Sequence, residues 1–307
     1  MKQFLKKTIL FSVPVLLLLS GMEWMLRRIP NDYKMKAQVY RERAGEFATL
    51  ILGNSYAYYD LDPVYFSKPA FNGAHLAQTL DIDAAIFERF EPTMKKLKTV
   101  IITVSDMSFF FRMANSEASW RVANYAIYYQ LPLSYNPADY FEIFKLPFSV
   151  NRNRLISFYV KKVNPVTSTA LGFGSDYTSA TRRDLNATTD EALELHKIKD
   201  FSDFDLEKKS LEKIAAACDS RGIRLIIVFP PAWHGYVARM DTVQLAATLT
   251  NCEYLKSTFK NVSYFNLLYD SSYTDWDYFD AVHLNELGAK KLSIFLNNYI
   301  DSLDNAR

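Results

Sequence analysis

Two short segments near opposite ends of the chain hold residues that could act together. Ser55 follows "LILGN", an apolar run that stops at Gly53. Asp280 and His283 stand three positions apart in "DAVHLNELGA", before a helix expected to begin near Asn285. A serine hydroxyl is a poor nucleophile unless a base takes its proton, and that base needs an orienting acceptor. In a turn, the three-residue spacing lets the carboxylate reach one imidazole nitrogen while the other faces the serine.

The elements that must position these residues alternate between short apolar runs and amphipathic stretches. Five runs predict strands: "FATLILG", "AFNGAH", "TVIITVS", "IRLIIVF" and "VSYFNL". Strands alternating with helices predict a three-layer α/β/α sandwich around a mainly parallel five-stranded sheet. A segment from about 109 to 204 breaks the alternation, and we interpret it as a large insertion after the third strand.

Polar residues follow several of these strands. Ser55 follows the first strand, Asp106 the third, and His234 the fourth, within "FPPAWHGY". Because ligands bind at the carboxyl ends of strands in open α/β sheets, we expect these residues to gather at one edge. Asp106 and His234 fit either substrate contacts or ordinary loop residues. His196 is expected on the solvent-facing side of a helix.

Composition excludes several classes of protein. The 307 residues include 36 basic and 34 acidic side chains with no long basic run, unlike a dedicated nucleic-acid binder. The two cysteines make no disulfide framework; buried thiols are favoured, and a single bridge stays open. Asp275, Asp277 and Asp280 lack the glycine and glutamate of a dedicated Ca²⁺ loop, so no metal is predicted. Asp277 is the alternative to Asp280 as the orienting carboxylate.

The N-terminus carries a membrane signal. Three lysines within residues 1–7 precede "TILFSVPVLLLLSGMEWML", which is close to the roughly 20 apolar residues that cross a bilayer. We predict a cytoplasmic segment at 1–7, a transmembrane anchor at 8–26, a connector at 27–45 and a catalytic domain at 46–303. A cleaved signal peptide is the alternative, since the densest apolar core is short. Long C-terminal domains cross the membrane largely regardless of flanking charges, so we expect the domain outside the cytoplasm.

The order of the motifs resembles one family. Gly53-Asn54-Ser55, then Asn-Gly at residues 72–73, then Asp280 with "HLNELGA" are similar to blocks of the SGNH (GDSL-like) hydrolase and acyltransferase superfamily. Within it, the chain looks most like membrane-anchored envelope members, such as alginate O-acetyltransferase-like proteins and the D-alanyl transfer protein of teichoic acid synthesis. The resemblance covers most of 46–303 as a layout and implies an SGNH/flavodoxin-like sheet.

The resemblance implies a role for each matching residue. Ser55 would be the nucleophile, His283 the general base and acid, and Asp280 its orienter. The N–H of Gly73 would join that of Ser55 in binding the oxyanion. The family's third block, Gly-x-Asn-Asp, is absent, because the chain reads "VSDMSFF" there. Asn72 or a residue of the insertion would have to supply the third donor, which weakens a hydrolase reading more than a transferase reading.

The function implied is a membrane-anchored serine O-acyltransferase or esterase that acetylates or deacetylates a cell-envelope or exported polysaccharide through acyl-Ser55. It needs no cofactor. Its expected partners are a glycan acceptor, an acyl donor and a multi-spanning membrane acyltransferase. The alternative is a non-catalytic surface protein of the same fold that binds polysaccharide or assists its assembly, which the missing third-block asparagine favours.

Overall fold

A computed structural model of the chain describes residues 1–305. They form two compact units, one of residues 1–37 with 117–166, the other of residues 38–116 with the chain from 167 onward. The sequence placed residues 117–166 within the insertion of the catalytic domain, whereas the structure groups them with the N-terminal helix.

The second unit is built on one five-stranded sheet. Its strands are β1 Thr49–Leu52, β2 Ala70–Asn72, β3 Thr99–Thr103, β4 Arg224–Phe229 and β5 Val262–Asn266. All neighbouring pairs are parallel, in the order β2-β1-β3-β4-β5. Each strand lies within one of the predicted apolar runs, and β1 to β4 are buried throughout, as strands covered on both faces must be. The predicted sheet is confirmed.

Twelve α-helices connect or flank these elements. In chain order they are α1 Lys2–Arg28, α2 Asp32–Arg43, α3 Ser55–Asp60, α4 Leu80–Phe90, α5 Val122–Asn124, α6 Glu142–Lys145, α7 Phe148–Leu155, α8 Leu185–His196, α9 Phe204–Ser220, α10 His234–Val237, α11 Thr242–Thr258 and α12 Glu286–Asn305 among the described residues.

Alternate strand residues point to opposite faces of the sheet, and here both sets are mostly apolar. Helices must therefore cover both faces. Ile51, Ile101 and Ile226 pack in one cluster with Leu292 and Leu296 of α12. The residues that alternate with them are also buried, and α4 packs against α9. This is the predicted α/β/α sandwich.

The strand order creates a position for a site. The chain runs from β1 outward to β2 and then crosses to β3 on the other side of β1. The loops after β1 and β3 therefore leave the sheet in opposite directions and open a crevice at their carboxyl ends. Ser55 and Asp106 follow these two strands.

The first unit contains α1, which is by length and composition apolar enough to cross a membrane, and its most apolar stretch is almost wholly exposed. At about 1.5 Å per residue it is longer than the ~30 Å hydrocarbon core of a bilayer. Near its end, the Glu23 carboxylate accepts the backbone N–H groups of Glu142 and Ile143 at 3.1 and 2.9 Å. The first turn of α6 thereby gains an acceptor for its free N–H groups.

Candidate active site

Ser55 is presented by a sharp turn between β1 and α3. Gly53 has φ 125°, in the region that favours glycine, and a Cβ there would collide with the Thr103 hydroxyl. The Asn54 side chain then caps α3 by accepting the N–H of Tyr56 at 3.1 Å. Ser55 is the first residue of α3 and is half-buried. The turn explains why the strand ends in glycine.

A chain of hydrogen bonds joins the three residues that the motifs single out. The Nε2 atom of His283 lies 2.9 Å from Ser55 Oγ, and its Nδ1 atom lies 3.0 Å from both oxygens of Asp280. An ionised carboxylate only accepts, so Nδ1 carries the proton and Nε2 is left to accept from the serine hydroxyl. This is the arrangement that lets an imidazole remove a hydroxyl proton.

Asp280 is held as an acceptor. Its buried carboxylate accepts the backbone N–H groups of Val282 and His283 at 2.9 and 2.8 Å. Burial raises the pKa of Asp280, but the charge of His283 and these hydrogen bonds outweigh burial and leave that pKa below its usual value. The side chain therefore stays ionised and orients the imidazole.

Asp60 makes a contact with the histidine loop that the sequence reasoning missed. It is fully buried at the end of α3, and its Oδ1 accepts the N–H of Leu284 at 2.9 Å. Burial raises its pKa well above the usual value. The signal in the sequence was a single carboxylate in the otherwise aromatic and small "SYAYYD" helix.

Aromatic rings surround His283. Tyr177 stacks between Tyr59 and Phe279, with ring centroids 3.6 and 3.7 Å away. The rings of Tyr59 and Tyr177 lie 5.7 and 5.4 Å from that of His283, approximately edge-on. Tyr177 lies in a stretch without any motif, so only the fold identifies it. With these rings around it, the His283 side chain is 13% exposed.

The expected oxyanion donors differ in their availability. The N–H of Gly73 donates to the carbonyl of Ile51 at 2.8 Å. Both N–H groups of the Asn72 amide donate to backbone carbonyls of α3 and the residue after it, at 2.6 and 2.8 Å. The N–H of Ser55 has no acceptor within residues 1–305, as expected for the first residue of a helix. The observed contacts of Asn72 and Gly73 hold the turn that carries Ser55.

The remaining candidates follow β3 and β4. Asp106 is buried and accepts the Tyr236 hydroxyl at 3.0 Å; burial raises its pKa to about 6. His234 is exposed at the start of α10, with its ring packed against Trp233. His196 is buried and bonds to the Tyr236 hydroxyl at 2.7 Å, so the expectation that it faces solvent is wrong. Its helix packs against α10, which covers this side chain.

Asp277 lies in a separate set of contacts. Its carboxylate accepts the N–H of Thr274 and pairs with Lys291, both at 2.8 Å. These bonds stabilise the turn that precedes Asp280, while His283 bonds to Asp280.

Among the described residues, no group of three or more His, Cys, Asp or Glu could hold a metal ion. Both cysteines are buried free thiols.

Comparisons with known proteins give a distant structural likeness. No family model matches the chain, and no curated protein matches it significantly. One solved structure that it is similar to is that of a protein provisionally described as a platelet activating factor from Streptococcus pneumonia. The two are 12% identical, the match covers 94% of this chain and 98% of that one, and the TM-score is 0.43.

The fold and the hydrogen bonds of this chain define its class: an α/β/α sandwich with a Ser-His-Asp candidate site.

Proposed function

We propose that the protein is a membrane-anchored serine O-acyltransferase or esterase of the SGNH type that acts on a cell-envelope or exported polysaccharide. The observation that carries the proposal is the chain of hydrogen bonds from Ser55 Oγ through His283 to Asp280, at 2.9 and 3.0 Å. The serine and histidine come from segments 228 positions apart, and they meet in the order that a proton path needs.

The reaction takes two steps. His283 removes the Ser55 proton as Oγ attacks the acyl carbonyl of the donor, and Asp280 stabilises the imidazolium. The proton then passes to the leaving group, and an ester forms on Ser55. In the second step, His283 takes a proton from a sugar hydroxyl or water, which attacks the ester carbonyl, and the proton returns to Ser55. The Ser55 N–H is the donor proposed for the oxyanion.

The cellular setting is part of the proposal. The exposed apolar surface of α1 supports an anchor in the cytoplasmic membrane. The globular domain then acts outside the cytoplasm, in the periplasm or at the cell surface. A transferase needs acyl groups from inside the cell, so a multi-spanning membrane acyltransferase is the proposed partner.

A fluorophosphonate probe tests the nucleophile. The full-length protein in detergent micelles should be labelled, Ser55→Ala should abolish labelling, and His283→Ala should reduce it strongly. Ser105→Ala is the matched control, because Ser105 follows β3 as Ser55 follows β1, and among the described residues its hydroxyl bonds only to Ser108. A folded wild-type protein that resists the probe would favour the non-catalytic alternative.

A second experiment separates the two enzymatic outcomes. The protein is supplied with p-nitrophenyl acetate, with and without cellotetraose, and products are followed by mass spectrometry. Acetylated sugar identifies a transferase, and free acetate alone identifies an esterase.

A further inference from the structure

A cavity of about 460 Å³ lies beyond the carboxyl ends of β3 and β4. Asp106, His196 and Tyr236 line it, together with Asp190, Glu194 and Arg239. Its volume is within the range of about 300–1,000 Å³ that is usual for small-ligand sites. No motif and no step of the proposed mechanism uses His196 or Tyr236.

Three of these side chains form a directed network. The Tyr236 hydroxyl donates to Asp106 Oδ2 at 3.0 Å, so the Nδ1 atom of His196, 2.7 Å from that hydroxyl, must be the donor to it. Burial is the main cause that lowers the pKa of His196 to about 4, so the ring is neutral at pH 7. The network therefore points its donors toward Asp106.

One carboxylate oxygen of Asp106 accepts no hydrogen bond from the described residues. Its Oδ1 atom is buried and has no hydrogen-bond partner within the described chain; the nearest cationic group is His196 Nδ1 at 3.7 Å. The Asp106 side chain is 2% exposed and lines the cavity. Buried carboxylate oxygens are normally paired, so this atom keeps an unused capacity to accept a hydrogen bond.

One residue, Tyr56, is close to both the Ser55 site and the Asp106 network. The ring of Tyr56, the residue after Ser55, is 5.2 Å from that of His283. Burial raises the pKa of Tyr56 well above its usual value, and electrostatic interaction with Tyr236 and the Asp106 carboxylate raises it further. Tyr56 thus contacts the proposed reaction centre while lying near the cavity network.

The charge of the lining selects among ligands. Four carboxylates and two basic side chains line the cavity, and Asp190 already pairs with Arg239 at 2.7 Å. Lys197 alone offsets the other three carboxylates. A negative surface with an unpaired acceptor favours hydroxyl donors and opposes a sugar that carries its own carboxylate.

We propose that this cavity binds a neutral sugar, one of whose hydroxyls donates to Asp106 Oδ1, and that it is the acceptor subsite beside Ser55. The second part rests on the proposed function. It assigns the glycan to the neutral class and excludes a polyuronate.

Calorimetric titration of the full-length Ser55→Ala protein, in a sugar-free detergent, tests the proposal. Cellotetraose should bind, and tetragalacturonate of the same length should not. Adding Asp106→Asn should weaken cellotetraose binding about tenfold or more, the effect of losing a hydrogen bond to a charged group. Glu207→Gln is the matched control, because Glu207 is also a buried carboxylate with an unpaired oxygen but does not line the cavity. Its titration should match that of Ser55→Ala alone.

A second variant guards against misfolding of the first. The hydrogen bond from Tyr236 lowers the pKa of Asp106, so Tyr236→Phe, which removes that bond, should raise this pKa. The pH below which cellotetraose binding is lost should therefore move upward.

Unchanged binding in Asp106→Asn, preference for tetragalacturonate, or no cellotetraose binding by folded protein would overturn the inference. Fluorophosphonate labelling of Ser55 without any sugar binding would contradict this inference but remain consistent with the proposed function. An unlabelled Ser55 would instead remove the proposed function, whatever the cavity binds.

Discussion

The backbone N–H of Leu284 donates a 2.9 Å hydrogen bond to Asp60 and so ties the loop that carries His283 to the helix that begins with Ser55. Because Asp60 is the last residue of that helix, one short rigid element holds both the serine and an anchor for the histidine loop. The same two elements bring His283 Nε2 to 2.9 Å from Ser55 Oγ, and we expect the Asp60 bond to help keep that distance.

Asp60→Ala should slow fluorophosphonate labelling about 10- to 100-fold, because a displacement of the histidine by about 1 Å is enough for a loss of that size. Asp60→Asn should recover most of the rate, since an amide oxygen can still accept from Leu284. A purely structural role would lower the melting temperature of both variants without this difference in rate. Labelling by Asp60→Ala at the wild-type rate would contradict the assignment.

Asp280→Asn should lower kcat for p-nitrophenyl acetate about 10³- to 10⁴-fold with little change in KM, because the amide favours the wrong imidazole tautomer. Asp277→Asn is the matched control from the same turn, where Asp277 pairs with Lys291. Steady-state kinetics of the two variants decide between the carboxylates. Equal losses would refute the assignment of Asp280 as the orienter.

Gly53→Ala should destabilise the fold by about 3 kcal/mol or more, because the residue has a positive φ and a Cβ would collide with Thr103. Gly222→Ala isolates the conformational part, since Gly222 has φ 65° and open space around it. Its cost should be about 1 kcal/mol. Urea denaturation followed by tryptophan fluorescence measures both, and similar costs would show that the collision is relieved.

Glu207→Gln should stabilise the protein increasingly as the pH rises. Burial raises the pKa of Glu207 to about 9, so the folded chain binds more protons than the unfolded chain between the ordinary glutamate pKa and about pH 9. Stability therefore falls as the pH rises across that window, and the amide removes this loss. We expect a gain on the order of 1–3 kcal/mol at pH 7, vanishing near pH 4. A gain independent of pH, in urea denaturation at several pH values, would disagree.

Binding of cellotetraose should weaken as the pH falls below about 6, where Asp106 becomes protonated. The titratable groups near this carboxyl are His196, Tyr236, Tyr56 and Asp241, and the backbone N–H groups of Asp106 and Met107 also lower its pKa. His196 titrates only near pH 4, so Asp106 accounts for the change above that value. Titrations from pH 5 to pH 8 measure it, and a flat profile would mean that the ionised carboxylate is not the acceptor.

The local pattern of the sequence determined the strands, the sandwich and the candidate residues Ser55, Asp280 and His283. Continuous apolar runs identify buried strands because every residue in them must avoid water. Gly-Asn-Ser after a strand and Asp-x-x-His before a helix are local arrangements whose geometry follows from neighbouring residues. The same reasoning located Asp106 after β3.

Only the tertiary structure decided which partners these residues have. The Asp60 bond to Leu284 spans 224 positions, and the Tyr177 stack and the His196–Tyr236–Asp106 network join separate helices and loops. The strand order places β1 beside β3, and no local pattern specifies that order. A donor can also have more than one available acceptor. The Gly73 N–H, which was expected to bind the oxyanion, donates to the carbonyl of Ile51. The sequence by itself specified which residues could do chemistry, and packing across distant segments decided which of them meet.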